Sequence, residues 1–139
     1  MGYRSQVVLA VAPELMPHFL AVLAKSQPAR ELCFAHADET INDYIDEGSR
    51  LMKWDSIKWY DSYRSVRALI DFMDWADDQE FPTTNMMDEI ENVEGSMFYR
   101  FVEIGEDADD VTIRGDAYYD ISVRLSLIHI SEPTRQAEI

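Results

Sequence analysis

The sequence predicts an α+β fold: a single domain with a mostly antiparallel sheet and helices packed on one face. Three observations predict it. A continuous apolar run, Val7 to Ala12, stands near the start. Val66, Leu69, Ile70 and Met73 recur at i, i+3, i+4 and i+7, the spacing of a helix with one buried face. Two strand-like segments, Phe98 to Ile104 and Ala117 to Arg124, follow one another late in the chain. The resulting order, β-α-(α)-β-α-β-β, favours antiparallel pairing with the helices gathered on one side.

Each element has its own grounds. Val7 to Ala12 is apolar at every position, so both of its faces should be covered, as in a central strand. Pro13 and Glu14 suit a first helical turn, Leu15, Phe19, Val22 and Leu23 form one stripe, and Pro28 should close that helix. Ala29 to Asp46 lacks a clean period and is read as helix. Arg50 to Tyr60 reads as a strand rich in Trp. Asp61 or Ser62 should cap the helix that carries Val66 to Met73. Phe81 to Gly95 holds Pro82 and many acids, and reads as a loop with a short helix at most. In Phe98 to Ile104, Phe98, Val102 and Ile104 should share a face. Gly105 to Asp110 is then a turn, and Ala117 to Arg124 alternates with period two and should pair with the preceding strand. The predicted core comprises Val7, Leu9, Val11, Phe19, Leu69, Ile70, Met73, Phe98, Val102, Tyr119 and Ile121.

A chain of 139 residues suits one domain with a core of its own. The net charge of −15 repels nucleic acid and anionic membranes at long range and favours a basic partner. The single cysteine, Cys33, rules out an intrachain disulfide and fits a reducing compartment. The start, Met1-Gly2-Tyr3-Arg4-Ser5, lacks the apolar stretch of a signal peptide, and no run has the length of a membrane helix.

The charge is unevenly spread. Between Arg50 and Arg67, five bases face two acids, a net +3, with Trp54, Trp59, Tyr60 and Tyr63 interleaved. From Asp71 to Asp116, fifteen acids face two bases, a net −13. Basic residues among aromatics could neutralise and stack a single-stranded nucleic acid, which makes Lys53, Trp54, Lys58, Trp59, Arg64 and Arg67 candidate partner-binding residues. The competing reading packs both tryptophans into the core, and the global charge favours it. Glu106, Asp107, Asp109 and Asp110 are the candidate ligands for Ca²⁺ or Mg²⁺, since both ions take oxygen donors. The EF-hand pattern fails there: counted from Asp107, Val111 and Thr112 fall where a ligand and a glycine belong. Cys33 and His36 have the spacing of half a zinc site, but no second cysteine exists to complete it. No Gly-rich phosphate cradle and no serine nucleophile elbow occurs, so no cofactor is expected.

The tail has a different character. Leu125 to Arg135 corresponds, residue for residue, to one reading frame of a transposase-type sequencing adaptor, and Gln136 to Ile139 fits a barcode read onward in that frame. The natural chain is accordingly expected to be Met1 to about Arg124, truncated before its own C-terminus, with 125–139 an adaptor-derived tail of metagenomic origin.

Met1-Gly2-Tyr3-Arg4-Ser5, Ile57-Lys58-Trp59-Tyr60, and Phe101-Val102-Glu103-Ile104-Gly105-Glu106-Asp107 with Asp109-Asp110 resemble small proteins of tailed phages and prophages. The resemblance spans most of Met1 to Arg124. It carries no activity and no catalytic residue, and it implies an accessory protein in the bacterial host cytoplasm. Three functions are open on these grounds. The first is a non-enzymatic interaction protein that binds a basic host or phage partner. The second is a divalent-metal enzyme built on the Glu106–Asp110 turn, and the third is a nucleic-acid binder built on Lys53 to Arg67.

Overall fold

The structure is a computed structural model that describes residues 3–43, 47–84, 86–107 and 109–117, together with the backbone of 122–123 and 128–129. Five strands form the main sheet in the order β2-β3-β1-β6-β7, every neighbouring pair antiparallel. These are β1 (Ser5–Val11), β2 (Glu39–Asn42), β3 (Arg50–Ile57), β6 (Tyr99–Ile104) and β7 (Val111–Arg114). Among the described residues three helices accompany it: α1 (Met16–Lys25), α2 (Gln27–Phe34) and α3 (Arg64–Asp77). A separate two-stranded sheet pairs β4 (Glu80–Thr84) with β5 (Ile90–Glu94). The fold is therefore α+β with a mostly antiparallel sheet, as the sequence predicts.

β1 occupies the middle of the sheet, where a strand without a polar face belongs. Val7, Leu9 and Val11 share a face with Trp54, Met52, Phe101 and Tyr99 across the register. The helices lie on that face. The Trp54 indole donates to the Leu32 carbonyl of α2 at 3.1 Å, and the Tyr99 hydroxyl donates to Asp77 of α3 at 2.7 Å. Phe19 of α1 meets Phe72 of α3 edge-on at 5.3 Å. On the opposite face Val8, Ala10, Leu51 and Val102 are buried as well.

Several expectations need correction. Pro28 does not close a helix; it lies in the first turn of α2, where its missing N–H costs nothing, and the Ser26 hydroxyl caps that helix by accepting from the Ala29 N–H at 3.3 Å. Pro13 and Glu14 form a turn before α1, and the proline in the first turn of α1 is Pro17. The segment read as helix from Ala29 ends as one at Phe34 and then supplies the edge strand β2; residues 44–46 lie outside the described residues. Neither Asp61 nor Ser62 caps α3, which begins after Tyr63 without a side-chain cap. Phe81 to Gly95 is the β4–β5 hairpin rather than a loop. The partner of β6 is β7, not Ala117 to Arg124, of which residues 118–121 and 124 lie outside the described residues. Phe98 belongs to a short 3-10 turn, Gly95–Phe98, ahead of β6.

Of the predicted core, Val7, Leu9, Val11, Phe19, Leu69, Met73, Phe98 and Val102 are buried and Ile70 is half-buried. Tyr119 and Ile121 lie outside the described residues, as does most of the tail; in it, Ile128–His129 pairs with Ser122–Val123.

Candidate functional site

The acidic turn between β6 and β7 is braced against the start of the chain. The Tyr3 hydroxyl donates to Asp110 Oδ2 at 2.6 Å, the Arg4 N–H donates to Glu106 Oε2 at 2.7 Å, and the Asp107 N–H donates to the Tyr3 hydroxyl at 3.3 Å. The bond to the Asp110 carboxylate pushes the Tyr3 hydroxyl above its ordinary range, since it favours the protonated phenol. Backbone bonds within the turn, Gly105 N–H to Asp110 O and Asp110 N–H to Asp107 O, complete it. Two of the four candidate carboxylates, those of Glu106 and Asp110, are thus engaged with Arg4 and Tyr3. Among the described residues no group of three or more His, Cys, Asp or Glu is placed to hold a metal ion.

The basic-aromatic segment is divided by the fold. Trp54 and Trp59 are 1% and 6% exposed, packed ring to ring at 5.4 Å, and Trp59 goes on to meet Phe101 at 5.9 Å. Neither offers a face to a base. Lys53 points to the opposite side of the sheet from Trp54, as alternation along a strand requires. Lys58 is half-buried, Arg64 is exposed, and Arg67 pairs with Asp71 at 3.1 Å and Asp74 at 3.8 Å. The six candidates do not share one surface. Cys33 is buried and its thiol is pushed up to about 12, chiefly by desolvation, so it is protonated near neutral pH. His36 nearby is exposed.

Two further features carry little signal in the sequence. The first is a groove of about 450 Å³ between α1 and α3, with Val22, Phe72 and Trp75 in its wall and His18, Lys25 and Asp71 on it. The His18 ring sits 4.5 Å from that of Trp75 and 5.9 Å from that of Phe81. The helical spacing of His18, Val22 and Lys25 marks a common face, but nothing in the sequence pairs it with α3.

The second is the β4–β5 hairpin. Its base is anchored: Phe81 meets Trp75 and Phe98, each near 6 Å at 6.2 and 5.8 Å, and the Gly95 N–H donates to the Gln79 carbonyl at 2.9 Å. Gly95 lies so close to the Ala76 carbonyl that a Cβ would not fit. Beyond the last register pair, Thr84 with Ile90, the described residues 86–88 form a turn and bend. Met86 and Met87 in that turn and Ile90 at the start of β5 are 102%, 79% and 77% exposed.

Charge balance distinguishes this hairpin from α3. On α3, Asp71, Asp74 and Asp77 are met by Arg67 and by Arg114, whose guanidinium lies 2.9 Å from Asp74 and 2.8 Å from Asp77. On the hairpin, Glu80, Asp88, Glu91 and Glu94 are exposed and make no ion pair among the described residues. Glu80 stands directly opposite Glu94 in the register, a like-charge pair that weakens the ladder. No protein-family model, characterised protein or solved structure matches the chain.

Proposed function

We propose that this protein is a non-enzymatic accessory protein of a phage or prophage, acting in the bacterial host cytoplasm by binding a basic host or phage protein through its acidic surface. The observation that carries the reading is the set of exposed carboxylates of Glu80, Asp88, Glu91 and Glu94 on the β4–β5 hairpin, none of which makes an ion pair among the described residues. An unbalanced acidic surface costs folding energy through self-repulsion and repays it in steering toward a cationic partner. Burial of Trp54 and Trp59 removes the stacking platform that a nucleic-acid binder needs. Engagement of Asp110 and Glu106 by Tyr3 and Arg4 likewise weighs against the metal-enzyme reading.

Calorimetric titration tests this with three probes. Poly-lysine should bind, with an affinity that falls steeply as sodium chloride is added. Oligo-thymidylate should not bind, and millimolar Mg²⁺ or Ca²⁺ should release no more heat than matched ionic strength. Binding of the oligonucleotide in preference to poly-lysine would overturn the reading, as would stoichiometric binding of either metal ion.

A further inference from the structure

We propose that the recognition element is the tip of the β4–β5 hairpin, which inserts Met86 and Ile90 into an apolar pocket rimmed by Lys or Arg on a partner protein. The proposal rests on the reading of the acidic surface as the binding surface, and it assigns the place and the chemistry.

Three observations combine. The tip exposes Met86, Met87 and Ile90 almost completely, although single apolar residues at a surface are ordinary and a group of large ones at one protruding point is not. The base of the same hairpin is tied to the body by Phe81 and by the close approach of Gly95 to α3, so the tip is presented on a fixed stalk. The stalk bears Glu80, Glu91 and Glu94, the turn above it bears Asp88, and from Glu80 to Glu94 there is no Lys or Arg.

Charge selects the occupant. A second copy of this chain brings the same −15 and the same acidic stalk, so tip-to-tip docking sets carboxylates against carboxylates. An anionic bilayer repels the stalk before the methionines arrive. A pocket with cationic edges satisfies both parts: its floor takes the apolar tip, and its rim meets Glu91 and Asp88. Methionine suits such a contact because its unbranched, polarisable side chain adapts to the shape of the floor.

The test uses the full chain with methyl-labelled methionine and two cationic probes. One is a helical lysine–leucine peptide with the leucines along one face; the other is poly-lysine. The peptide should move the Met86 and Met87 methyl resonances and the amides of β4 and β5. Met86→Ser combined with Ile90→Ser should weaken the peptide by about tenfold or more while leaving poly-lysine within about twofold. Glu80→Gln with Glu91→Gln and Glu94→Gln should weaken both probes, which keeps the proposal testable should the first variant fold poorly.

If both probes bind but the peptide's shifts spread over α3 and the Glu106–Asp110 turn, untouched by either variant, the hairpin assignment falls and the acidic-surface reading stands. If neither probe binds, both fall. Methyl shifts produced by uncharged phosphatidylcholine vesicles alone, or by raising the protein's own concentration, would also overturn the assignment, in favour of a lipid surface or a second copy.

Discussion

The Glu106–Asp110 turn and the β4–β5 hairpin are alike in sequence: four carboxylates in five residues in one, five in fifteen in the other, and no base in either. Their surroundings differ. In the turn, carboxylates accept from Tyr3 and from the Arg4 backbone, and so hold the first residues of the chain against the end of β6. In the hairpin, Glu80 faces Glu94, and Glu91 faces only Thr83. Acidic residues close together in sequence therefore serve two purposes here, and what each oxygen touches separates them. A carboxylate with an internal donor stabilises the fold, whereas one opposite another carboxylate is left with their repulsion, which the proposed cationic partner would relieve.

The largest effect should come from the body that supports both regions. Leu69 is fully buried on α3, and Leu69→Ala should cost about 2–5 kcal/mol in chemical denaturation, as a core leucine does when it leaves a cavity. Met86→Ala, at the hairpin tip, should stay within about 0.5 kcal/mol of the parent. A costly Met86 variant would show that the tip packs on the body and would break the distinction between stalk and free end. Next in size is Gly95→Ala. The new methyl meets the Ala76 carbonyl, a backbone atom that cannot step aside, so overpacking should cost about 1–3 kcal/mol. Hydrogen exchange should then rise across β4 and β5 while the Asp107 and Asp110 amides keep their protection.

The turn gives a smaller and opposite pattern. Tyr3→Phe removes the hydroxyl that joins Asp110 to the Asp107 N–H, so the Asp107 amide should exchange faster while the hairpin is unchanged. Melting temperature should fall slightly. Charge counting alone argues that Asp109→Asn with Asp110→Asn would raise it, by removing two repelling groups. The bond from Tyr3 to Asp110 reverses part of that gain, since an amide oxygen is a weaker acceptor than a carboxylate. A melting temperature clearly above the parent's would show that repulsion outweighs the brace.

What was legible in the sequence follows the same division. The central strand and α3 were readable because their side chains answer to burial: Val7 to Val11 has no polar face, and Val66, Leu69 and Met73 line one stripe. The hairpin was not, because only Phe81 and Val93 of its paired residues pack against the core, too few to set a period. Pro82 adds to the disguise, although a two-stranded sheet has only edges and tolerates it there. β7 leaves a weak mark for a similar reason, since its Val111 and Ile113 are exposed and Ala117 to Arg124 alternates over a longer stretch. The basic-aromatic segment misled because adjacency in sequence is opposition in a strand, which sends Lys53 and Trp54 to different sides. The cap of α2 is legible in Ser26 followed by Gln27 and Pro28, because a proline two residues after a serine suits a first helical turn as well as it suits a helix end.

Glu103, on β6 between the two regions, should give the smallest and most specific effect. Burial raises its carboxyl above the ordinary 4.5, the neighbouring charges of Asp110 and Asp61 add to the rise, and the Ser5 hydroxyl, 3.2 Å away, opposes it. The folded chain therefore keeps a proton over a range of pH beginning near 4.5 in which the unfolded chain has lost it. The native state binds more protons there, so stability falls as pH rises through that range, and below it the group's contribution is fully present. Glu103→Gln fixes the neutral form and still accepts from Ser5. Relative to the parent, it should gain stability between pH 4 and pH 7, measured as the difference in urea midpoints at the two values. The sign is what matters. Midpoints that stay parallel across the range would mean that solvent reaches Glu103 freely, and midpoints that diverge in the parent's favour would make Glu103 a stabilising carboxylate of the same kind as Asp110.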